Sequence, residues 1–229
     1  MQYMIHACPD RMWYVEQFLV PSMLEQGISR SDITIWNDEE KKGNLWATMD
    51  SFNFCGKQDG GYWHLQDDVL LARDFAERTK VSGNDIECGF CHALFENRDG
   101  RSVDRVGRVE ARYMWSSFPC IYIPNWILAD FVEWFYKKAL YRSEYVNFIH
   151  EKKHDDSFWR DYVNEERHYD TVINIAPALV DHIDWVIGGS VINQYRGTNC
   201  RAYHWEDEEL LEELKDNLRQ KGFGKRILF

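Results

Sequence analysis

No glycine-rich phosphate loop occurs in this 229-residue chain, neither G-x-G-x-x-G nor the Walker pattern, although it contains 14 Gly. A diphosphate ligand would therefore have no backbone cradle, which leaves a metal held by carboxylates as the natural grip. Positive charge is also short: 27 Lys and Arg stand against 38 Asp and Glu, a formal net charge of -11. That argues against broad, sequence-independent capture of nucleic acid or of an anionic membrane surface. It leaves room for a local basic groove and for a phosphate ligand bridged by a divalent cation. There is no apolar run of spanning length and no basic-then-apolar leader, so the expectation is a protein with no integral membrane segment, cytoplasmic and with reduced thiols. Of its six Cys, only Cys88 and Cys91 lie close together. No repeat, low-complexity stretch or linker interrupts the chain, which reads as a single domain over residues 1–229.

What is present is a large apolar share, 45%, enough for a sizeable core, and 10 Trp. Most of these aromatics are expected to fill that core, Trp126 among them, although stacking on a sugar or base is the other common use, open to Trp115 as well.

The N-terminal part alternates. Tyr3–Ala7 reads as a strand. Met12, Val15, Phe18, Leu19 and Met23 recur at helical spacing up to Gly27, with Pro21 expected to kink or interrupt the helix. Ile33–Trp36 reads as a second strand, Leu45–Phe52 as a helix, and Tyr62–Leu65 as a third strand after the Gly60-Gly61 turn. Such alternation predicts a parallel sheet with crossover helices, whose ligands bind beyond the carboxyl ends of the strands. The residues just past those ends are Cys8 to Arg11, Asn37-Asp38 and Gln66-Asp67-Asp68, and all three groups should face one crevice. Two adjacent carboxylates repel one another, so Asp67 and Asp68 belong either in water, capping the next helix, or beside a cation.

Beyond Val69 the pattern predicts a helix to about Thr79, a strand over Ile86–Phe90, a loop over 96–107 and loose alternation from Arg108 to Met114. Trp115–Ser117 reads as a turn and Phe118–Ile123 as a strand. Pro124 then starts a strong helix with Ile127, Phe131, Trp134 and Phe135 on one face. His154-Asp155-Asp156 opens another helix, where the acidic pair also suits the helix dipole. Val172–Ala176 is a final strand, followed by Pro177-Ala178-Leu179-Val180-Asp181-His182. Residues 206–220 form an acidic amphipathic helix with Leu211, Leu214 and Leu218 on its stripe. Cys88-Gly89-Phe90-Cys91-His92 matches the haem-attachment pattern C-x-x-C-H, but that chemistry needs export. A zinc site would need ligands that the spacing does not supply, so redox or plain buried thiols are expected.

Taken in order, these features resemble the GT-A class of nucleotide-sugar glycosyltransferases, in particular its smaller bacterial and phage members. They are the strand-helix-strand start, the apolar strand ending in Gln-Asp-Asp, the later Asp-Asp at a helix start, and Pro-x-Leu-Val-x-His. The likeness runs over roughly residues 3–190. It implies a single-domain α/β GT-A (nucleotide-diphospho-sugar transferase) fold with a mostly parallel central sheet flanked by helices. About residues 1–70 would be the nucleotide-binding half, about 88–190 the acceptor half with the metal-site histidine, and 205–229 a C-terminal helix and tail.

It further implies that Asp68 binds a divalent metal, Mn2+ or Mg2+, that bridges the donor diphosphate, with His182 completing the metal site. Gln66, which replaces the usual first carboxylate, would contact the nucleoside, and Asp67 stands between the two roles. Ala7, Pro9, Arg11, Asn37 and Asp38 would hold the nucleotide. Asp155 and Asp156 would supply the catalytic base if the reaction inverts, with Asp156 preferred, or acceptor contacts if it does not. The donor would be a nucleotide-diphosphate sugar and the acceptor a hydroxyl on a glycan, lipid-linked glycan, protein or modified DNA base. Two rivals remain: a sugar nucleotidyltransferase, whose usual Gly-rich basic loop is absent here, and a non-catalytic binding or assembly protein that keeps the fold and uses its acidic C-terminal helix as a partner face.

Overall fold

In a computed structural model the protein is described over residues 1–81, 83–90, 106–111, 118–152, 155–166, 172–188, 202 and 205–223. Strand β1 (Gln2–Ala7) leads through a short 3-10 turn, Pro9–Arg11, into helix α1 (Met12–Tyr14), a π-helical turn Val15–Leu19 and helix α2 (Val20–Glu25). The wide π turn lies immediately before Pro21, which has no N–H to give to the preceding turn and whose ring would crowd it. The expected interruption is thus a local widening, and the helical run continues through it.

Strand β2 (Ile33–Asn37), helix α3 (Asn44–Cys55) and strand β3 (Gly61–Gln66) complete the alternating N-terminal part. Then come β4 (Val69–Leu71), the one-turn helix α4 (Phe75–Arg78), β5 (Ile86–Cys88), β6 (Gly107–Ala111) and β7 (Cys120–Pro124). Helices α5 (Asn125–Lys137), α6 (Val146–Glu151) and α7 (Asp155–Glu166) precede β8 (Val172–Ala176), β9 (Val180–His182) and α8 (Glu208–Gln220).

Seven strands form one sheet in the order β2-β1-β3-β7-β5-β8-β6. Strands β1, β2, β3, β5 and β8 run one way, and β7 and β6 run against them. The architecture is therefore α/β with a mostly parallel central sheet flanked by helices. Side chains alternate across the sheet. Tyr3, Ile5, Ala7, Trp63 and Leu65 face one layer with the α1–α2 run, β4, β9 and α8. Met4 and Tyr62 face the other with α3, α5 and α7, where Phe52, Phe131 and Trp159 pack edge to face. Leu211, Leu214 and Leu218 of α8 are buried in the first layer, so the stripe of this acidic helix packs on the core.

Two expectations are corrected. Val69 does not open a long helix. Val69–Leu71 pairs antiparallel with Val180–His182 as a separate two-stranded sheet, and helix is confined to Phe75–Arg78. A run of three fully buried apolar residues carries no period of its own, so a partner strand 111 positions away decides its conformation. Trp126 is not core: it stands 52% exposed, one step off the α5 stripe of Ile127, Phe131, Trp134 and Phe135. Trp115, Cys91, His92, His154 and the expected loop's central part lie outside the described residues. Among the described residues no helix is long and apolar enough to cross a membrane.

Gly89 sits at a close approach of three segments. A Cβ there would sit 2.6 Å from Cys120 Sγ and 3.0 Å from Leu179, so the glycine lets β5, β7 and the segment before β9 close on one another. Cys88 and Cys120 are both buried.

Candidate functional site

Because β1, β2 and β3 are parallel neighbours, their three following loops leave the same edge of the sheet. A cleft opens there, lined by Ala7, Cys8, Arg11, Trp36, Asp38, Asn44, Thr48, Gln66, Asp67, Asp68, Phe118 and Asp155 among others. Of the residues expected to bind the nucleotide, Ala7, Arg11, Asp38, Gln66 and Asp67 border this cleft, together with Asp68. Pro9 is exposed on the 3-10 turn, and neither it nor Asn37 lines the cleft. Asp38 lines the cleft, but its carboxylate is already used: its oxygens accept from the main-chain N–H of Lys42 and Gly43, at 2.8 and 2.9 Å. It shapes the loop that carries Gly43 and Asn44 to the rim.

One rim is a charged cluster. Asp67 accepts from the Cys8 N–H at 2.9 Å and from Arg11 Nη1 at 3.3 Å. The same Nη1 contacts Asp68 Oδ2 directly. His182 joins from β9: its Nε2 lies 3.3 Å from Asp68 Oδ2, and its Nδ1 lies 3.5 Å from Asp184 Oδ1. The small β4–β9 sheet makes this meeting possible. Val69 is paired with His182, and the Ile183 N–H donates to the Asp68 carbonyl at 2.9 Å, so histidine and aspartate are set side by side by main-chain register. Tyr14 fixes the same corner by donating to the Val69 carbonyl at 2.9 Å.

Burial and charge compete in this cluster. Burial raises the Asp68 carboxyl, but Arg11 and then His182 outweigh it and hold Asp68 ionised. For Asp67 burial wins over Arg11, with the charge of Asp68 adding to the rise. Burial lowers His182, but the Asp68 charge more than reverses that and lifts the imidazole to about 9. Asp184 is raised, chiefly by burial, against the pull of His182.

The opposite rim is neutral. Asp155 begins α7 and is buried; Asn44 Nδ2 donates to its Oδ1 at 2.6 Å and Thr48 Oγ1 to its Oδ2 at 2.8 Å. Among the described residues no cation pairs with it, and burial raises its carboxyl to about 6, helped by neighbouring Asp156 and opposed by the Thr48 hydroxyl. Gly43 sets this approach. Its φ is +91°, and a Cβ would meet Lys152 Cβ at 2.8 Å, so only glycine lets the start of α3 close against the segment before α7. Asp156, preferred on sequence, does not line the cleft; its Oδ1 accepts from the Ser157 N–H at 2.8 Å. The buried member of the pair is the first one, because the second falls on the outer side of the first turn.

The cleft floor holds an imidazole pair, half-buried His6, which lines the cleft, resting on fully buried His64. His6 Nε2 is 2.9 Å from His64 Nδ1, and Ser51 Oγ is 3.3 Å from His6 Nδ1. Ser51 gives its own proton to the Thr48 carbonyl at 2.9 Å. His6 Nδ1 therefore carries the proton shared with Ser51, and His64 donates to His6, which leaves His64 Nε2 a buried acceptor without a hydrogen-bond partner. Burial lowers both imidazoles, His6 to about 4.

Asp68 Oδ1 is likewise buried and has no hydrogen-bond partner. An ionised carboxylate with one uncommitted oxygen, beside an imidazole nitrogen, has the donor chemistry that suits Mn2+ or Mg2+. Among the described residues no group of three or more His, Cys, Asp or Glu side chains is gathered to hold an ion unaided, so ligand oxygens and water would have to complete its shell. Sequence reasoning missed Asn44, Thr48, Trp36, Asp184 and the His6–His64 pair. His6 and His64 stand out only once the strands are aligned, which sets them side by side on one face of the sheet.

No protein-family model matches the chain, and no curated protein does. Among solved structures it is similar to the galactosyltransferase LgtC in complex with donor and acceptor sugar analogs, at 12% identity and TM-score 0.46, over 96% of this chain and 100% of that one. It is also similar to A197 from STIV, at 12% identity and TM-score 0.45, over 80% and 86%. A third likeness is to a UDP-glucose pyrophosphorylase from Acinetobacter baumannii, at 10% identity and TM-score 0.38, over 72% and 60%. At these scores the likenesses carry no weight for function, which has to come from the site.

Proposed function

We propose that this chain is a metal-dependent GT-A glycosyltransferase that moves a sugar from a nucleotide-diphosphate donor to a hydroxyl acceptor, with inversion. One observation carries the reading: a single cleft beyond the parallel strand ends has an ion-paired Asp68–Arg11–His182 rim facing a neutral-donor rim around Asp155. Departure of a nucleoside diphosphate builds negative charge on its oxygens, and the first rim concentrates the groups that meet it. Asp68, and His182 once its imidazolium has given up its proton, would hold Mn2+ or Mg2+, so that loading the metal releases a proton; the bound ion supplies Lewis-acid stabilisation of that charge. Arg11 offers a guanidinium to the same phosphates. Gln66 and Trp36 border the space left for the nucleoside.

On the other rim, Asp155 is the proton acceptor for the attacking hydroxyl. A carboxylate raised to about 6 is ionised at neutral pH yet more basic than an exposed one, which is the balance general-base work needs. Asn44 and Thr48 hold its two oxygens in place, so the acceptor hydroxyl has a fixed target.

Calorimetry with a panel of nucleoside diphosphates, with and without Mn2+, tests donor binding, and NMR of the product anomer tests inversion. Silence from every nucleotide would remove the transferase reading. Turnover of a nucleoside triphosphate with a sugar phosphate would move it to nucleotidyl transfer, and retention of configuration would take the base role from Asp155.

A further inference from the structure

The Asp68 carboxylate is divided. Its Oδ1 is buried without a hydrogen-bond partner, while its Oδ2 is shared between Arg11 and His182. Arg11 is itself only 5% exposed, and its Nη1 spans both carboxylates of the pair, Asp67 and Asp68. The turn that carries it, Pro9–Arg11, is closed by the Arg11 N–H donating to the Cys8 carbonyl at 3.0 Å, directly after β1. The guanidinium therefore stands where charge from a divalent cation at Asp68 would be most strongly repelled. It also borders the cleft, within reach of anything that fills it.

We propose that Arg11 is a latch on the cation site. Its guanidinium holds Asp68 until a diphosphate draws it into the cleft, so the cation and the diphosphate each bind well only when the other is present. This rests on the reading of Asp68 as a divalent-cation ligand. A cation arriving alone must share Asp68 with a fixed positive group and binds weakly. A diphosphate presents two or more acceptor oxygens in the geometry that a guanidinium fork matches, and it offers Arg11 a partner at least as good as Asp68. Once Arg11 has moved, Asp68 Oδ2 is left to His182 alone beside the open Oδ1, and the repulsion from the guanidinium is replaced by a ligand that the cation and Arg11 both bind. By linkage the help is reciprocal: the factor by which diphosphate tightens the cation is the factor by which the cation tightens diphosphate. The device would keep the carboxylates from collecting a stray divalent ion before donor arrives.

The test is binding of Mn2+ alone, followed by electron paramagnetic resonance, to wild type, Arg11→Gln and Arg11→Lys. The latch predicts that Arg11→Gln binds Mn2+ at least ten-fold more tightly than wild type, while Arg11→Lys, which keeps the charge, stays within about three-fold of wild type. Equal affinity in wild type and Arg11→Gln would overturn the latch and leave the metal reading standing. Binding in neither, even at millimolar Mn2+ and with inorganic pyrophosphate present, would overturn the metal reading and the latch with it. Should Arg11→Gln fail to fold, wild type alone decides. In metal-free protein, inorganic pyrophosphate must shift the Arg11 Nε–H resonance, and an unmoved resonance at saturation would overturn the latch.

Discussion

The two rims of the cleft bury carboxylates by opposite means. Asp67 and Asp68 are surrounded by charge, with Arg11 in contact with both and His182 against Asp68. Asp155 is just as deeply placed, but its partners, Asn44 and Thr48, are neutral donors. A full opposite charge overcomes the cost of burial and keeps Asp68 ionised well below the usual carboxylate range. Two neutral hydrogen bonds do not, and Asp155 rises to about 6. The same residue type is thereby given two different characters, a permanent anion and a more basic carboxylate, which the proposed function uses for binding charge and for taking a proton.

Removing the anion should have the largest effect. Asp68→Ala should abolish metal-dependent donor binding and lower turnover by about 10³-fold or more. It should also destabilise the fold by about 3–5 kcal/mol, because Arg11 loses its main partner while staying buried. Donor calorimetry and chemical denaturation measure the two effects. Full activity in the variant, or in excess chelator, would end the contrast between the rims.

Asp155→Asn should cut kcat by about 10²–10⁴-fold while leaving donor binding nearly unchanged. Its effect on stability should have the opposite sign. A carboxyl raised from 3.8 to about 6 by folding favours the native state below pH 3.8, and that contribution is lost as pH rises through 6. At neutral pH the folded protein therefore carries a disfavoured charge, and the amide removes it. A gain on the order of 1–3 kcal/mol above pH 6 is expected, the upper end being the full two-unit shift. Urea denaturation at pH 5 and pH 8 checks this, and equal loss of stability in both aspartate variants would show that the rims do not differ.

How much of this was legible beforehand depends on range. The strands Gln2–Ala7, Ile33–Asn37 and Gly61–Gln66 could be read because each is apolar, short and bounded by turn residues. Their alternation with helices then placed the ends of all three at one cleft. The antiparallel pairing of Val69–Leu71 with Val180–His182 could not be read, because nothing local distinguishes a buried Val-Leu-Leu strand from a helical turn. The resemblance supplied the link between Asp68 and His182; the small sheet supplies its physical cause. The choice between Asp155 and Asp156 failed for a similar reason. Adjacent residues in the first turn of a helix point about 100° apart, and only the position of α3, more than 100 residues earlier, selects the inward one.

A third polar group, half-buried His6 on buried His64, extends the comparison to neutral groups. His6 falls to about 4 on folding from 6.5. A lowered imidazole contributes stability that is present above pH 6.5 and lost as pH falls through 4. Wild type should lose on the order of 3 kcal/mol over that window from His6, with His64 adding to the loss. The double variant His6→Asn/His64→Leu should show a shallower slope between pH 6.5 and 4, whatever its absolute stability. An unchanged slope would mean that the pair accepts a proton without strain.

The smallest expected effect probes the neutral rim without touching its carboxylate. Thr48 is buried, and its hydroxyl is one of only two side-chain donors to Asp155 seen among the described residues. Thr48→Val keeps the β-branched shape and removes that donor. The hydroxyl lowers the Asp155 carboxyl, so its loss should raise it further. A base acts only when deprotonated, so the acid limb of the pH–kcat profile should move to higher pH, by about half a unit to one unit for one neutral hydrogen bond. At a pH well above that limb kcat should change little, since the proton acceptor is present and somewhat more basic. The same substitution would leave the Asp68 rim untouched, so Mn2+ and donor affinity should stay at wild-type values. A profile that keeps its acid limb while losing amplitude would assign Thr48 to holding the rim's shape, and the proton acceptor would have to be sought elsewhere in the cleft.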